Sequence, residues 1–358
     1  MISYLLLYSL SAIGSLAFSK PRYQSKGLIS FSKIFLFLMA GALSLLIGFR
    51  HEVGVDWNNY LMLLEETWEI SFFDAIDNPM RDPAFTFVIL LSQQFGGIYF
   101  VNLISGTLFS LGLISFCNQL PRPWLALTVA TPYLIIVVAM GYTRQAVAIG
   151  LCMWAISFLF RGKRLVFVSL VFAAAAFHKS AVIFIVFGFL LTRTRNLAGI
   201  FLFIIISSTF YFLFLSDALG DLIKNYFIYN YESSGAFIRL FMNAVPGILF
   251  LILHRKFCLT EVQRIVWKSF SYAAITLLIL YFLIPSSTGL DRIGLYLLPL
   301  QVFFWSHFPD AFNIPGRRGL LAVSLVIGAY FIVLLVWLFF AAYSVGWIPY
   351  RFYPFTLF

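Results

Sequence analysis

Charge is what this sequence has least of. Only 11% of its 358 residues are Asp, Glu, Lys or Arg, where an ordinary soluble domain carries about 25%. Histidine occurs 4 times and cysteine 3 times. Cys117, Cys152 and Cys258 sit within or beside apolar runs, with none of the spacings of a metal site, and read as small buried hydrophobes. Walker loop, Gly-x-Ser-x-Gly, His-Glu-x-x-His, Cys-x-x-Cys and Asp-x-Asp are all missing. The chain therefore lacks the phosphate cradle, nucleophile elbow and metal signatures of the common soluble enzymes, and no cofactor or metal is expected.

Apolar residues fill the space: 62% of the chain is hydrophobic, and Phe alone occurs 43 times. A bilayer core takes roughly 20 apolar residues per helical crossing. Runs of that kind recur along the whole length, which predicts an all-α, polytopic integral membrane protein forming one transmembrane domain, 1–358. A β-barrel is excluded because the apolar stretches are continuous, not alternating. About ten crossings are expected, near 2–19, 30–49, 98–117, 124–141, 143–160, 197–216, 237–253, 266–284, 292–308 and 319–343. Met1–Ser19 has no basic leader and reads as the first crossing, not a cleaved signal. Two shorter arms, 165–192, flank Phe177-His178-Lys179-Ser180 and predict a tight hairpin. Pro83–Phe95 is similarly short.

The few charges are sorted. Sixteen of the 24 basic residues fall in one set of loops: Lys20, Arg22, Lys26, Lys33, Arg122, Arg161, Lys163, Arg164, Arg193, Arg195, Arg255, Lys256, Arg264, Lys268, Arg317 and Arg318. Only Glu261 and Asp310 join them from the acidic side. The positive-inside rule assigns this set to the cytoplasm and both termini to the outside. The net charge of +10 thus reflects membrane orientation, and nucleic acid is not an expected partner. Loop 50–97, segment 216–239 and the tip at His178 fall outside.

Nearly every group able to do chemistry lies on that outer side. Arg50 ends a crossing and can grip a phosphate with its planar fork. Asp56 either caps the helix after it or serves as a base. Arg144, in the first turn of a crossing, opposes the helix dipole and so invites an anion. His178 and Lys179 sit where two short helices meet, and Asp291-Arg292 opens another crossing. Together these describe an outer-leaflet cavity with Arg50, Arg144, Lys179 and Arg292 as cations and Asp56, His178 and Asp291 as candidate bases. A cation cluster at membrane depth suits a lipid-linked pyrophosphate, neutralised by arginine and lysine.

At these same residues the sequence resembles the EpsG family of Wzy-like oligosaccharide repeat-unit polymerases. The matching elements are Arg50 with Val53-Gly54-Val55-Asp56-Trp57-Asn58-Asn59-Tyr60, then Arg81-Asp82-Pro83-Ala84-Phe85, Arg144-Gln145-Ala146, Phe177-His178-Lys179-Ser180, and Asp291-Arg292 with Tyr296. Val55 and Trp57 replace a Thr and a Tyr of the usual pattern, and Asp-Pro-Ala-Phe replaces Glu-Pro-Gly-Phe.

The resemblance implies a metal-independent glycosyltransferase of the inner membrane. It would join undecaprenyl-pyrophosphate-linked units, as donor and acceptor, into O-antigen or exopolysaccharide on the periplasmic face. Membrane lipid and, optionally, a chain-length regulator would be its partners. His178 is expected as base and Asp56 as the carboxylate orienting the acceptor. Arg50, Arg144, Lys179, Arg292, Gln145, Tyr60, Asp291 and Tyr296 would hold substrate. An O-antigen ligase would look much the same. A flippase should carry its charges at the midplane, reachable from both sides; here they cluster on one face.

Overall fold

The computed structural model describes residues 1–19, 28–68, 70, 82–185, 205, 208, 233–284, 286–311 and 316–356. Among these there is no strand, only one isolated antiparallel bridge between Arg50 and Phe352. The helices in chain order are α1 (Ile2–Ala17), α2 (Leu28–Gly48), α3 (Trp57–Thr67), α4 (Pro83–Ser92), α5 (Ile98–Cys117), α6 (Pro123–Ala130), α7 (Thr143–Leu159), α8 (Arg164–Phe177), α9 (Ala236–Leu253), α10 (Glu261–Leu283), α11 (Thr288–Leu295), α12 (Leu298–Ala311), α13 (Gly316–Phe340) and the short α14 (Tyr353–Thr356).

Among the described residues, five helical stretches are long and apolar enough to cross a bilayer: Phe31–Gly48, Ile98–Cys117, Ala236–Lys256, Glu261–Leu283 and Gly319–Phe340. The other apolar helices are shorter than the ten expected crossings require, among them Ile2–Ala17, Thr143–Leu159 and Arg164–Phe177. The crossing expected at 197–216 lies outside the described residues, positions 205 and 208 aside. So do segment 216–239 up to residue 232 and the hairpin's second arm beyond residue 185.

Two expected crossings are built differently, each because of a proline. The stretch at 124–141 starts as α6 and continues as a π-helix, Thr131–Ala139. Pro132 has no N–H to give the carbonyl one turn back, so the chain goes on in wider turns. The crossing expected at 292–308 is divided into α11 and α12. Pro299 cannot donate to the carbonyl of Leu295, and the ladder breaks at Tyr296–Leu297.

The bundle's centre is the α6 column. Ala126, Leu127, Ile135, Ile136 and Val138 are fully buried there. Helices α1, α12 and α13 pack against it. Hydroxyls link α1 to α6, with Ser15 Oγ 2.8 Å from Thr128 Oγ1. Helices α5 and α7 touch backbone to backbone: a Cβ added at Gly112 would lie 2.0 Å from the carbonyl oxygen of Gly150. Small residues permit such approach where lipid supplies no hydrophobic drive between helices. Outward, Leu6, Ile13, Phe37, Leu38, Ile332 and Phe339 are more than half exposed, an apolar surface suited to lipid.

The two ends of the bundle differ. At one, Arg122 bridges Asp310 and the carbonyl of Ser19. At the other, the C-terminal tail folds back over the first loop. Backbone bonds run from His51 to Arg351, from Gly54 to Gly346 and from Tyr353 to Phe49. Trp347 is buried under Gly141, its ring N–H donating to the carbonyl of Ile136. The tail thereby fixes the loop leading to α3 against the start of α7.

Candidate functional site

At the tail-covered end a cavity of about 370 Å3 opens among α3, α4, α7, α11 and the tip after α8. Its lining includes Asp56, Tyr60, Glu66, Asp82, Tyr142, Arg144, Gln145, His178 and Arg292. Three helices begin at its wall, with Asp56, Asp82 and Tyr142 as their N-caps. Helix N-termini present unpaired N–H groups and partial positive charge, which favour a bound anion.

Neither aspartate caps its helix through its side chain. For Asp56 this sets aside the plain capping role: among the described residues the carboxylate accepts only a long 3.4 Å bond from Asn59, and it faces the cavity. Its pKa is raised above the ordinary carboxylate value by burial, although Arg292 and Arg144 pull it down. Asp82 is 5% exposed and holds the site together. One oxygen accepts from Arg144 Nη1 at 3.1 Å, and the other accepts from the backbone N–H of Lys179 at 3.4 Å. Its pKa is likewise raised by burial, against the pull of Arg144 and Lys179.

Arg144 is 37% exposed, spends one nitrogen on Asp82, and lies 5.9 Å from the centre of the Phe85 ring. Arg292 is exposed, and among the described residues its guanidinium makes no hydrogen bond or ion pair. Its carbonyl instead accepts from Gln145 Nε2 at 2.7 Å, which ties α11 to α7. His178 ends α8 in extended backbone, its Nδ1 3.9 Å from Asp82. That is a contact, too long for a hydrogen bond. Burial, then Arg144, Arg292 and Lys179, lowers its pKa from 6.5 to about 3. The ring is therefore neutral but a feeble base.

Six of the expected site residues meet in this cavity: Asp56, Tyr60, Arg144, Gln145, His178 and Arg292. The other four are placed elsewhere. Arg50 is 1% exposed, with four donor contacts already made: to the carbonyls of Ile47 and Val53, to Asn102 and to Thr143. It staples α2, α5 and α7 where the sequence reading had it gripping phosphate. Asp291 pairs with Arg239, at 2.6 and 2.7 Å, and with Ser233, not with its neighbour Arg292. Tyr296 is buried and accepts from Ser180 at 3.1 Å. Lys179 reaches the site through its backbone N–H, and its charge acts on Asp82 and His178 from beyond the lining.

The residue that sequence reasoning passed over is Asp82. It stood in a recognised Asp-Pro motif, but Asp before Pro reads first as a helix start, and nothing local announces a partner 62 positions away. Among the described residues no three His, Cys, Asp or Glu side chains cluster as a metal site would need. In comparison with known proteins, the EpsG family model matches residues 33–352, most of the chain. No curated protein and no solved structure matches it.

Proposed function

The chain belongs to the EpsG family, whose members are Wzy-like polymerases, and on that premise we propose that it polymerises undecaprenyl-pyrophosphate-linked repeat units at the periplasmic face of the inner membrane. The observation carrying this reading is the cavity itself. An exposed arginine, uncommitted among the described residues, and a half-committed one stand beside a buried carboxylate, Asp82, a half-buried one, Asp56, and three helix N-termini. That set binds an anionic leaving group and offers a base to a neutral nucleophile.

In the proposed reaction a hydroxyl of the incoming unit attacks the anomeric carbon of the lipid-linked chain. The new glycosidic C–O bond forms as the bond to pyrophosphate breaks. Arg292 and Arg144 take the charge that develops on the departing pyrophosphate, aided by the helix N-termini. The hydroxyl proton goes to a carboxylate. Here the sequence expectation is reversed: Asp56, with its raised pKa, is the better acceptor, and His178, held neutral near pKa 3, orients the hydroxyl. Asp82 holds Arg144 in place.

Deleting the gene and running surface polysaccharide on a gel tests the function. Loss of a polymerase leaves single-unit caps and restores the ladder on complementation. A ligase or transporter would leave no capped product at all, and that result overturns the proposal. Asp56→Asn in the null strain tests the base: full-length polymer at normal protein level removes Asp56 from that role.

A further inference from the structure

Beside the cavity, on the other side of the first turn of α3, lies an aromatic cluster that the proposed reaction does not use. Tyr99 and Tyr353 stack with ring centres 3.8 Å apart and planes 22° off parallel. His51 lies 6.1 Å from both rings and 5.9 Å from Trp57, and its Nδ1 is 2.6 Å from the Tyr99 hydroxyl. Tyr99, Tyr353 and His51 are half-buried, so the cluster keeps an open side among the described residues. A pair of exposed charged side chains rims it: Glu52, 53% exposed, meets Arg351, 48% exposed.

Glu52 also sits at φ 53, left-handed backbone that a non-glycine residue adopts at a cost. That conformation sets its carboxylate beside the tail, next to the rings. Trp57 joins the cluster directly after Asp56, whose carboxylate faces the cavity.

Flat aromatic faces edged by a carboxylate and a guanidinium match the surface of a sugar. Its C–H faces are apolar and its hydroxyl rim needs both donors and acceptors. A membrane-interface anchor would use aromatics as well, but it has no use for a paired acid and base on the rim, and both need water. We propose that this cluster is a second, glycan-holding subsite, which grips sugars of the oligosaccharide outside the cavity by stacking on Tyr99 and Tyr353 and by hydrogen bonds to Glu52 and Arg351. The proposal rests on the polymerase reading. It deepens it by giving the growing chain a resting place one step from the reacting end.

Three measurements test it. The full chain in nanodiscs is titrated with lipid-free oligosaccharides cut by mild acid from the source cell's own surface polymer, for the wild type, Tyr99→Ala and Glu52→Gln. Tyr99→Ala should bind about tenfold more weakly, the loss of one aromatic contact of ordinary strength. Glu52→Gln, an exposed change that leaves the fold alone, should weaken binding less. In the null strain both variants should still add the first units but give shorter ladders. Unchanged binding and unchanged ladders overturn the subsite. So does quenching of Trp57 by brominated lipid with no change on adding sugar, which would make the cluster an interfacial anchor. If the null strain polymerises without this protein, the polymerase reading fails, and the binding titration alone then decides the subsite.

Discussion

Two arginine–aspartate pairs stand at opposite ends of the bundle. At one end Arg122 and Asp310 form a fork, Nε to one oxygen at 3.0 Å and Nη2 to the other at 2.7 Å. A third nitrogen bonds the carbonyl of Ser19, and the two side chains are 7% and 15% exposed. At the other end Arg144 gives Asp82 a single 3.1 Å contact and remains 37% exposed. Beside it Arg292 gives none among the described residues. The first pair is saturated and has nothing left for a ligand, so it works as a staple between the loop before α6 and the end of α12. The second is half-spent, and what is left over faces a cavity. Counting donors in this way separates an arginine satisfied within the fold from one with donors to spare, a difference that position in the sequence does not show.

The sharpest way to break the comparison is to exchange guanidinium for ammonium at both ends. Lysine keeps the charge and loses the planar fork. Arg144→Lys and Arg292→Lys should each lower polymer formation about 100-fold, the usual loss for one donor aimed at developing charge. Polymer per unit of purified protein is the measure. Arg122→Lys should leave that ratio unchanged. Equal losses at both ends would mean that the arginines matter only for folding.

Removing the acid instead strands the cation. Asp310→Ala leaves Arg122 in a largely buried site with no counter-charge. The expected loss of stability is about 2 kcal/mol, below the roughly 3–5 of a fully buried pair because Asp310 keeps some water. Thermal inactivation of detergent-solubilised protein reads it. A melting point equal to the wild type's would show that the fork contributes nothing.

Arg50 sharpens the contrast within one end, and it also marks where the sequence stopped being legible. Membrane class, helical build and the grouping of Asp56, Arg144, His178 and Arg292 followed from apolar run length and charge sorting, which are local or one-dimensional signals. Arg50 carries the same signals, a cation at the outer end of an apolar run. What differs is its set of acceptors, Asn102 and Thr143, which are 52 and 93 positions away. No pattern around residue 50 encodes them. The same holds for Asp291, whose partner Arg239 lies 52 positions off, and for Asp82. Helix breaks were missed for another reason: Pro132 and Pro299 lie inside runs apolar enough to pass as single crossings. As a staple, Arg50→Lys should lose about 1–2 kcal/mol, since three ammonium donors cannot serve four acceptors. The Michaelis constant for the lipid-linked donor should stay put. A raised constant with normal stability would return Arg50 to the proposed binding site.

The smallest expected effect concerns His178, and its sign follows from burial. In the folded protein its pKa is lowered from 6.5 to about 3, so the folded state resists the proton that the unfolded chain accepts. Its stabilising contribution is complete above about pH 6.5 and is lost as pH falls from there towards 3. Between pH 7 and pH 6 the wild type should lose about 0.7 kcal/mol from this group. Asp56 and Asp82 work the other way. Their pKa values are raised, so their contribution is greatest below the ordinary carboxylate pKa of 3.8 and is lost as pH rises through the raised value. The two trends overlap in weakly acid solution, and a bare wild-type profile would mix them. Comparing variants separates them. His178→Gln has no proton to refuse, so its melting temperature should fall less than the wild type's between pH 7 and pH 6. Asp82→Asn should leave that interval's slope as steep as before or steeper. A wild-type slope that His178→Gln does not change would mean that water reaches the ring. His178 would then regain the basicity expected of it from sequence, and with it the claim to accept the proton.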